Sequence, residues 1–236
     1  MEEKHIEPHV AGHISKLNWL RASVLGANDG IVSMAGLVFG LAGATNSSII
    51  ILTAGIAGII ASSISMAVGE YVSVSSSRDT EKALLEKERF ELKNFPKEEL
   101  EELAQIYQKK GLSKKTAKIV ADELTAHDPI AAHFDAELQI DPNNLTNPYH
   151  AAIASAFSFL LGGAIPLLSI ILTPVSFRIP FTFTSVLIAL CLTGIVSAKV
   201  GGANIKRAVI RVVIGGIIAM AVTYGIGKLF NLSGKI

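Results

Sequence analysis

The sequence has 236 residues; half are hydrophobic, 17% are charged, and the formal net charge is +1 at pH 7. Long runs without Lys, Arg, Asp or Glu accompany this composition, which excludes an ordinary soluble globular domain and is typical of a membrane protein. A net charge this close to zero gives no electrostatic reason to expect nucleic acid, and none is predicted as a partner.

Five apolar runs are long enough for an α-helix to cross the hydrocarbon core of a bilayer, which takes about 20 residues. They lie at residues 22–44, 48–77, 150–173, 181–198 and 208–230. The sequence therefore predicts an all-α, multi-pass membrane protein with five transmembrane helices.

Lys and Arg concentrate before the first span, between the second and third, and around the loop between the fourth and fifth. The positive-inside rule then predicts a cytoplasmic N-terminus and a cytoplasmic segment 78–148. The chain is therefore predicted to have three parts: residues 1–77 with the first two spans, the inserted domain 78–148, and residues 149–236 with the last three spans.

The inserted domain 78–148 holds most of the acidic residues and has a helical pattern throughout. The second span should continue into it as one helix and stop before Pro96, because the residue before a proline avoids the helical region. Pro96 opens a second helix that Gly111 ends, Ser113 caps a third, and Pro129 opens a fourth, "PIAAHFDAELQI".

Within these helices, possible metal ligands recur three or four residues apart, which places them on one helix face. The pairs are Glu88 with Glu91, Glu99 with Glu102, and His133 with Glu137. Glu98 and Glu101 are an equally spaced alternative to the second pair. Carboxylates together with an imidazole suit Fe²⁺ or Mn²⁺. The simpler interpretation is a set of solvated acids, with His133 as a surface residue.

Two acids lie inside the predicted spans, where an ionised carboxylate is costly and is by default functional. Asp29 lies about 12 Å beyond Arg21, and Glu70 about 12 Å before Arg78, so both are expected at similar depth. Met66 precedes Glu70 by one turn on the same face and adds a soft thioether that suits a transition metal. The sequence therefore predicts a cation path near Asp29 and Glu70.

Several segments, taken together, resemble the vacuolar iron transporter family. They are "LGANDGIVS", "SMAVGEYVS", "AHFDAELQID", "LGGAIPLL" and "AVTYGIGKLF", and the resemblance covers about residues 17–232. It implies a homodimer with the path between subunits, a cytoplasmic metal-binding domain, and exchange of cytoplasmic Fe²⁺ for protons. The membrane would be the cell membrane of a prokaryote, the favoured source, or the vacuolar membrane of a eukaryote.

Carried over by position, the resemblance implies a set of metal-binding residues. They are Asp29, Met66, Glu70, Glu88, Glu91, Glu99, Glu102 and Glu137, with His133 as a substitute ligand. Plant members place a methionine and a further glutamate just before the last of these, whereas this chain reads His133, Phe134, Asp135, Ala136.

Other functions remain open at this point. A Mn²⁺ exporter would use the same ligands, and a membrane-tethered metal sensor could use the acidic domain without transport. A ferritin-like iron-binding protein would need Glu-x-x-His motifs, and neither Glu88 nor Glu99 has a histidine three residues later. No glycine-rich phosphate loop is present to suggest ATP as the energy source. A transporter without enzymatic activity or a tightly bound cofactor is expected.

Overall fold

The computed structural model describes residues 13–138 and 146–232, without the side chains of residues 13–19 and 232. Those residues form helices and no strand. The helices are α1 (His13–Ala44), α2 (Ser48–Asn94), α3 (Pro96–Lys109), α4 (Lys114–His127), α5 (Pro129–His133), α6 (Pro148–Leu172), α7 (Arg178–Val200) and α8 (Ile205–Leu232). A π-helical turn, Phe134–Leu138, continues α5.

Within the described residues, five helices are long and apolar enough to cross a membrane, as predicted. They are Leu20–Ala44, α2, α6, α7 and Ile205–Asn231. At 47 residues, α2 is about 70 Å long, more than twice what a bilayer core requires. Its first part is apolar and its charged part begins near Arg78. It ends at Asn94, so the predicted stop before Pro96 is confirmed.

The chain divides into two compact units. The spanning unit comprises the described residues up to Ser73 and those from Asn147 onward; the acidic unit is Val74–Thr146. Helix α2 contributes residues to both.

In the spanning unit, α1 is the central helix and packs against α6, α7 and α8. Its buried side chains, such as Ile31 and Val38, join those of Ile170, Leu190 and Met220 in one apolar core. A hydroxyl also ties α2 to this unit, because Ser63 Oγ donates a hydrogen bond to the carbonyl of Ala156 at 3.1 Å.

Glycines allow α1 to approach its neighbours closely. A Cβ at Gly162 would collide with the carbonyl oxygen of Ala27, and one at Gly43 would lie 2.6 Å from that of Tyr224 on α8. The run "GLVFGLAGA" therefore packs on α8 of its own chain. In the run "AGIAGIIA", Gly55 and Gly58 face side chains of the same chain, Leu167 and Leu37. Both runs thus have intramolecular partners.

In the acidic unit, the predicted helix starts and ends are confirmed. The amide of Thr116 donates to Ser113 Oγ at the start of α4, and Gly111 has a φ of 105°, which suits the left-handed residue after a helix end. Pro129 begins α5, with Asp128 as its cap. A small apolar core built on Leu103 and Ala121 holds these helices together. The last two residues of the predicted fourth helix, 139–140, lie outside the described residues.

Candidate metal-binding sites

One cavity in the spanning unit brings the two intramembrane acids together. It measures about 370 Å³, and its lining comes from α1, α2 and α6. The lining residues are Leu25, Asp29, Ser33, Ser62, Ser65, Met66, Gly69, Glu70 and Phe159. Asp29, Met66 and Glu70, which the sequence placed on two separate helices, therefore face the same space.

Hydroxyl groups in this cavity were not singled out from the sequence. Ser33 Oγ donates a hydrogen bond of 2.9 Å to Asp29 Oδ1 from one turn further along α1. Ser62 and Ser65 share the cavity-lining face of α2 with Met66 and Glu70. Their spacing of three and four residues is the signal that could have identified them. The cavity thus offers hydroxyl, carboxylate and thioether atoms.

Met66 has two sets of neighbours. It lines the cavity, and it also packs against the apolar cluster formed by Met34, Ile59 and Phe159. Packing against this cluster restrains the flexible side chain, which also lines the cavity.

A second group of ligands lies in the acidic unit. Four side chains each offer one ligand atom, and these atoms all lie within 4.8 Å of one another. They are Glu88 on α2, Glu99 on α3, His133 at the end of α5 and Glu137 in the π-helical turn that follows it. His133 Nδ1 is 2.9 Å from Glu88 Oε1, 3.6 Å from Glu99 Oε2 and 3.8 Å from Glu137 Oε2. A single cation could be shared by such a group.

The side chain of His133 is fully buried, so its interpretation as a surface residue is wrong. The small residues Ala132 and Ala136, on either side of it in the sequence, belong to the apolar core of the unit, and this draws the imidazole inward with them. His127, by contrast, is exposed at the end of α4.

Burial also changes the acid–base properties of this group. Desolvation, with repulsion from Glu137, Glu99 and Glu91, raises the pKa of Glu88 to about 7. Desolvation is also the main reason that the pKa of Glu99 is raised and that of His133 is lowered. The imidazole is therefore neutral at neutral pH and is not the cationic partner of a salt bridge.

The remaining predicted ligands lie at the edge of this group. Glu91 is half-buried and forms an ion pair of 2.9 Å with Lys87. Glu102 is exposed, but its charge contributes to raising the pKa of Glu99. The alternative pair, Glu98 and Glu101, is also exposed, so the inward register on α3 is that of Glu99.

Unsatisfied polar atoms accompany the group. Glu88 Oε1 and both ring nitrogens of His133 are buried, and none has a hydrogen-bond partner among the described residues. Buried polar atoms are rarely left without a partner. The carboxyl groups also repel one another when ionised, and a divalent cation would satisfy both demands.

Five helices long and apolar enough to cross a membrane define a multi-pass α-helical membrane protein. Comparison with known sequences gives the family: the VIT family profile matches residues 20–228, and the chain belongs to the VIT family. Membership places it among transporters and not among enzymes.

Named relatives extend over most of the chain. A "Vacuolar iron transporter" from Acanthamoeba castellanii is 46% identical over 212 residues, which are 89% of this chain and 78% of the relative. "Vacuolar iron transporter homolog 1" of Oryza sativa is 34% identical over 94% of this chain and 78% of its own length. "Vacuolar iron transporter homolog 2.1" of Arabidopsis thaliana is 32% identical, over 95% and 87% respectively.

Proposed function

We propose that the protein moves divalent metal, with Fe²⁺ as its cargo and Mn²⁺ as the nearest alternative, out of the cytosol in exchange for protons. The observation that carries this proposal is the shared cavity of Asp29, Met66 and Glu70 in the spanning unit of a VIT-family chain. The iron named in its relatives supports the choice of cargo.

The chemistry of the cavity suits this exchange. Carboxylates bind metal only when deprotonated, so protons and metal compete for the same oxygens. Among the described residues no Lys or Arg lines the cavity, which leaves a mobile cation or a proton as the counter-charge for Asp29 and Glu70. The thioether of Met66 favours a transition metal over Mg²⁺ or Ca²⁺.

The acidic unit is proposed to be a cytoplasmic metal-binding domain that collects the ion. Glu88, Glu99, His133 and Glu137 would bind it, and Glu91 and Glu102 would add negative charge at the edge. The orientation rests on the predicted cytoplasmic side of residues 78–148.

A homodimer is proposed as the working form, with the path between subunits. Large apolar residues project from α2 without covering in one chain, among them Ile56, Ile60 and Ile64. Such a face suits either lipid or a second copy.

Metal uptake into proteoliposomes with an imposed pH gradient tests the proposal. Fe²⁺, Mn²⁺ and Zn²⁺ would be compared for the wild type, Asp29→Ala, and the control Asp79→Ala, an exposed acid on α2 outside both ligand groups. We expect the wild type and the control to move Fe²⁺ with the gradient and Asp29→Ala to lose the flux. If no metal moves with the gradient, or if Asp29→Ala moves it equally well, the proposal fails.

The group of Glu88, Glu99, His133 and Glu137 also supports a second candidate, a membrane-tethered metal sensor that does not transport. Fe²⁺ flux, measured for the wild type and for the full chain carrying both Glu99→Gln and His133→Ala, separates the two. A transporter whose acidic unit only collects metal should keep part of its flux at saturating Fe²⁺, whereas a sensor shows no flux in the wild type either.

A further inference from the structure

A separate cavity of about 480 Å³ lies between α1, α7 and α8 in the spanning unit. It shares Leu25 with the cavity of Asp29 but none of the proposed metal ligands. Two arginines line it, Arg21 from α1 and Arg211 from α8, together with the polar side chains of Asn28, Thr193 and Ser197. Three helices therefore converge on one basic, partly polar space.

Within the part of the chain that the structure describes, the two guanidinium groups have no acidic counter-charge. Among the described residues, neither Arg21 nor Arg211 forms an ion pair, and no acid lines the cavity. Arg211 lies six residues into α8, about 9 Å from its first residue, within an apolar span. A cation at that position is costly unless an anion compensates it. Arginine is also the side chain best matched to the oxygens of a phosphate.

The rest of the lining suits a ligand with an apolar part. Val24, Leu25, Val200 and Val212 contribute hydrocarbon surface beside the arginines. Asn28 Oδ1 is buried and accepts no hydrogen bond from the described residues, which leaves an acceptor for a hydroxyl donor. The volume lies in the range of small-molecule sites.

We propose that this cavity binds the headgroup of an anionic glycerophospholipid. Arg21 and Arg211 hold the phosphate, a headgroup hydroxyl donates to Asn28, and the valines and Leu25 contact the first part of the acyl chains. Basic pockets between transmembrane helices on the positively charged side of a membrane protein are known to bind anionic headgroups. This site is independent of the metal ligands and of the direction of transport.

Native mass spectrometry of the full chain in detergent, with phosphatidylglycerol or phosphatidylcholine added, tests the proposal. The variant is Arg21→Gln with Arg211→Gln. Its matched control, Lys199→Gln with Lys206→Gln, removes the same charge from exposed positions nearby. We expect the wild type and the control to retain phosphatidylglycerol over phosphatidylcholine. The arginine variant should lose that preference by roughly tenfold or more, the factor for one charge-assisted hydrogen bond.

Equal retention by the arginine variant, or equal loss in both double variants, would overturn the proposal. The bound phosphate group could belong to a lipid headgroup or to a free phosphate ion, and competition with inorganic phosphate separates these two sources. If inorganic phosphate displaces phosphatidylglycerol at equal concentration, the site binds a soluble phosphate and the lipid assignment is wrong.

A second measurement needs only the wild-type protein, in case the arginine variant does not fold. A phosphatidylglycerol with a photoactivatable group at the top of one acyl chain should cross-link to residues 24–28 or 193–212. Labelling confined to α2 or α6 would contradict the assignment.

Discussion

His133 Nδ1 lies 2.9 Å from Glu88 Oε1, yet no hydrogen bond joins these two buried atoms. Two further carboxylates, those of Glu99 and Glu137, approach the same nitrogen. Buried polar atoms without a hydrogen-bond partner are costly, and a cation bound between the imidazole and the carboxyl groups would relieve that cost. The burial of His133 and Glu88 therefore supports the proposed metal binding by the acidic unit.

The raised pKa of Glu88 predicts how the metal-free protein responds to pH. Its pKa of about 7 exceeds the ordinary value of 4.5, so the folded state binds more protons than the unfolded state between these values. The contribution of this carboxyl to stability therefore falls as pH rises from 4.5 to 7. With chelator present, the thermal midpoint of Glu88→Gln should fall less over this range than that of the wild type.

Glu101→Gln is the matched control, because Glu101 is exposed on α3. It should keep the wild-type pH dependence. Adding Mn²⁺ at pH 7 should raise the midpoint of the wild type and the control, since a ligand that binds the folded state stabilises it, but not that of Glu88→Gln. If the thermal midpoint depended on pH to the same degree in all three proteins, a buried Glu88 with a raised pKa would be contradicted.

His133 should determine which metals the acidic unit prefers. Without the imidazole only carboxylates remain, and imidazole suits Fe²⁺ and its analogue Co²⁺ better than Ca²⁺. We expect His133→Ala to weaken Co²⁺ binding by roughly tenfold or more, the scale seen when even the supporting residues of a metal site are lost. Co²⁺ absorption and a Ca²⁺ titration would measure the two affinities in the wild type and the variant. If His133→Ala weakened the binding of both ions equally, a ligand role for His133 would be contradicted.

The crossing of α1 and α6 should tolerate no side chain at Gly162. A methyl group there meets the backbone carbonyl of Ala27, which cannot move without separating the helices. Gly162→Ala should lower stability by about 1–3 kcal/mol, the usual cost of overpacking. Gly225→Ala is the control, because a Cβ at that position has no neighbour within 4 Å. Equal thermal midpoints for the two variants would show that α1 and α6 are less closely packed at Gly162 than the structure indicates.

Ser33 should support Asp29 without replacing it. Its hydroxyl donates to Asp29 Oδ1, which orients the carboxylate toward the cavity that both residues line. Initial rates of Fe²⁺ uptake should therefore fall partly in Ser33→Ala and almost completely in Asp29→Ala. A loss as large in Ser33→Ala as in Asp29→Ala would make the hydroxyl a cargo ligand in its own right.

The helices were predictable because their signals are local. Long apolar runs mark the spans, and Pro96, Gly111 and Ser113 mark the helix boundaries in the acidic unit by rules that act within a few residues. The same periodicity placed Met66 and Glu70 on one face of α2. Shared use of one cavity by Asp29 and Glu70 was expected from their depths, and the structure brings them to the same space.

The inward face of the acidic helices was not predictable, because it depends on tertiary packing. Glu98 and Glu99 are equivalent in spacing, and only the burial of Leu103 and Ala104 turns Glu99 inward. His133 is buried for the same kind of reason. The partners of the glycines in α1 likewise depend on which helix crosses it, and spacing alone cannot distinguish α8 from a second subunit.

Simultaneous recording of metal and proton movement in one set of proteoliposomes tests the central claim most directly. Wild-type protein would be reconstituted with a metal indicator and a pH indicator inside, and an Fe²⁺ gradient applied without any initial pH difference. Proton antiport predicts that Fe²⁺ entry drives protons out and raises the internal pH, and that both signals vanish together in Asp29→Ala. Fe²⁺ entry without a change in internal pH would contradict the account.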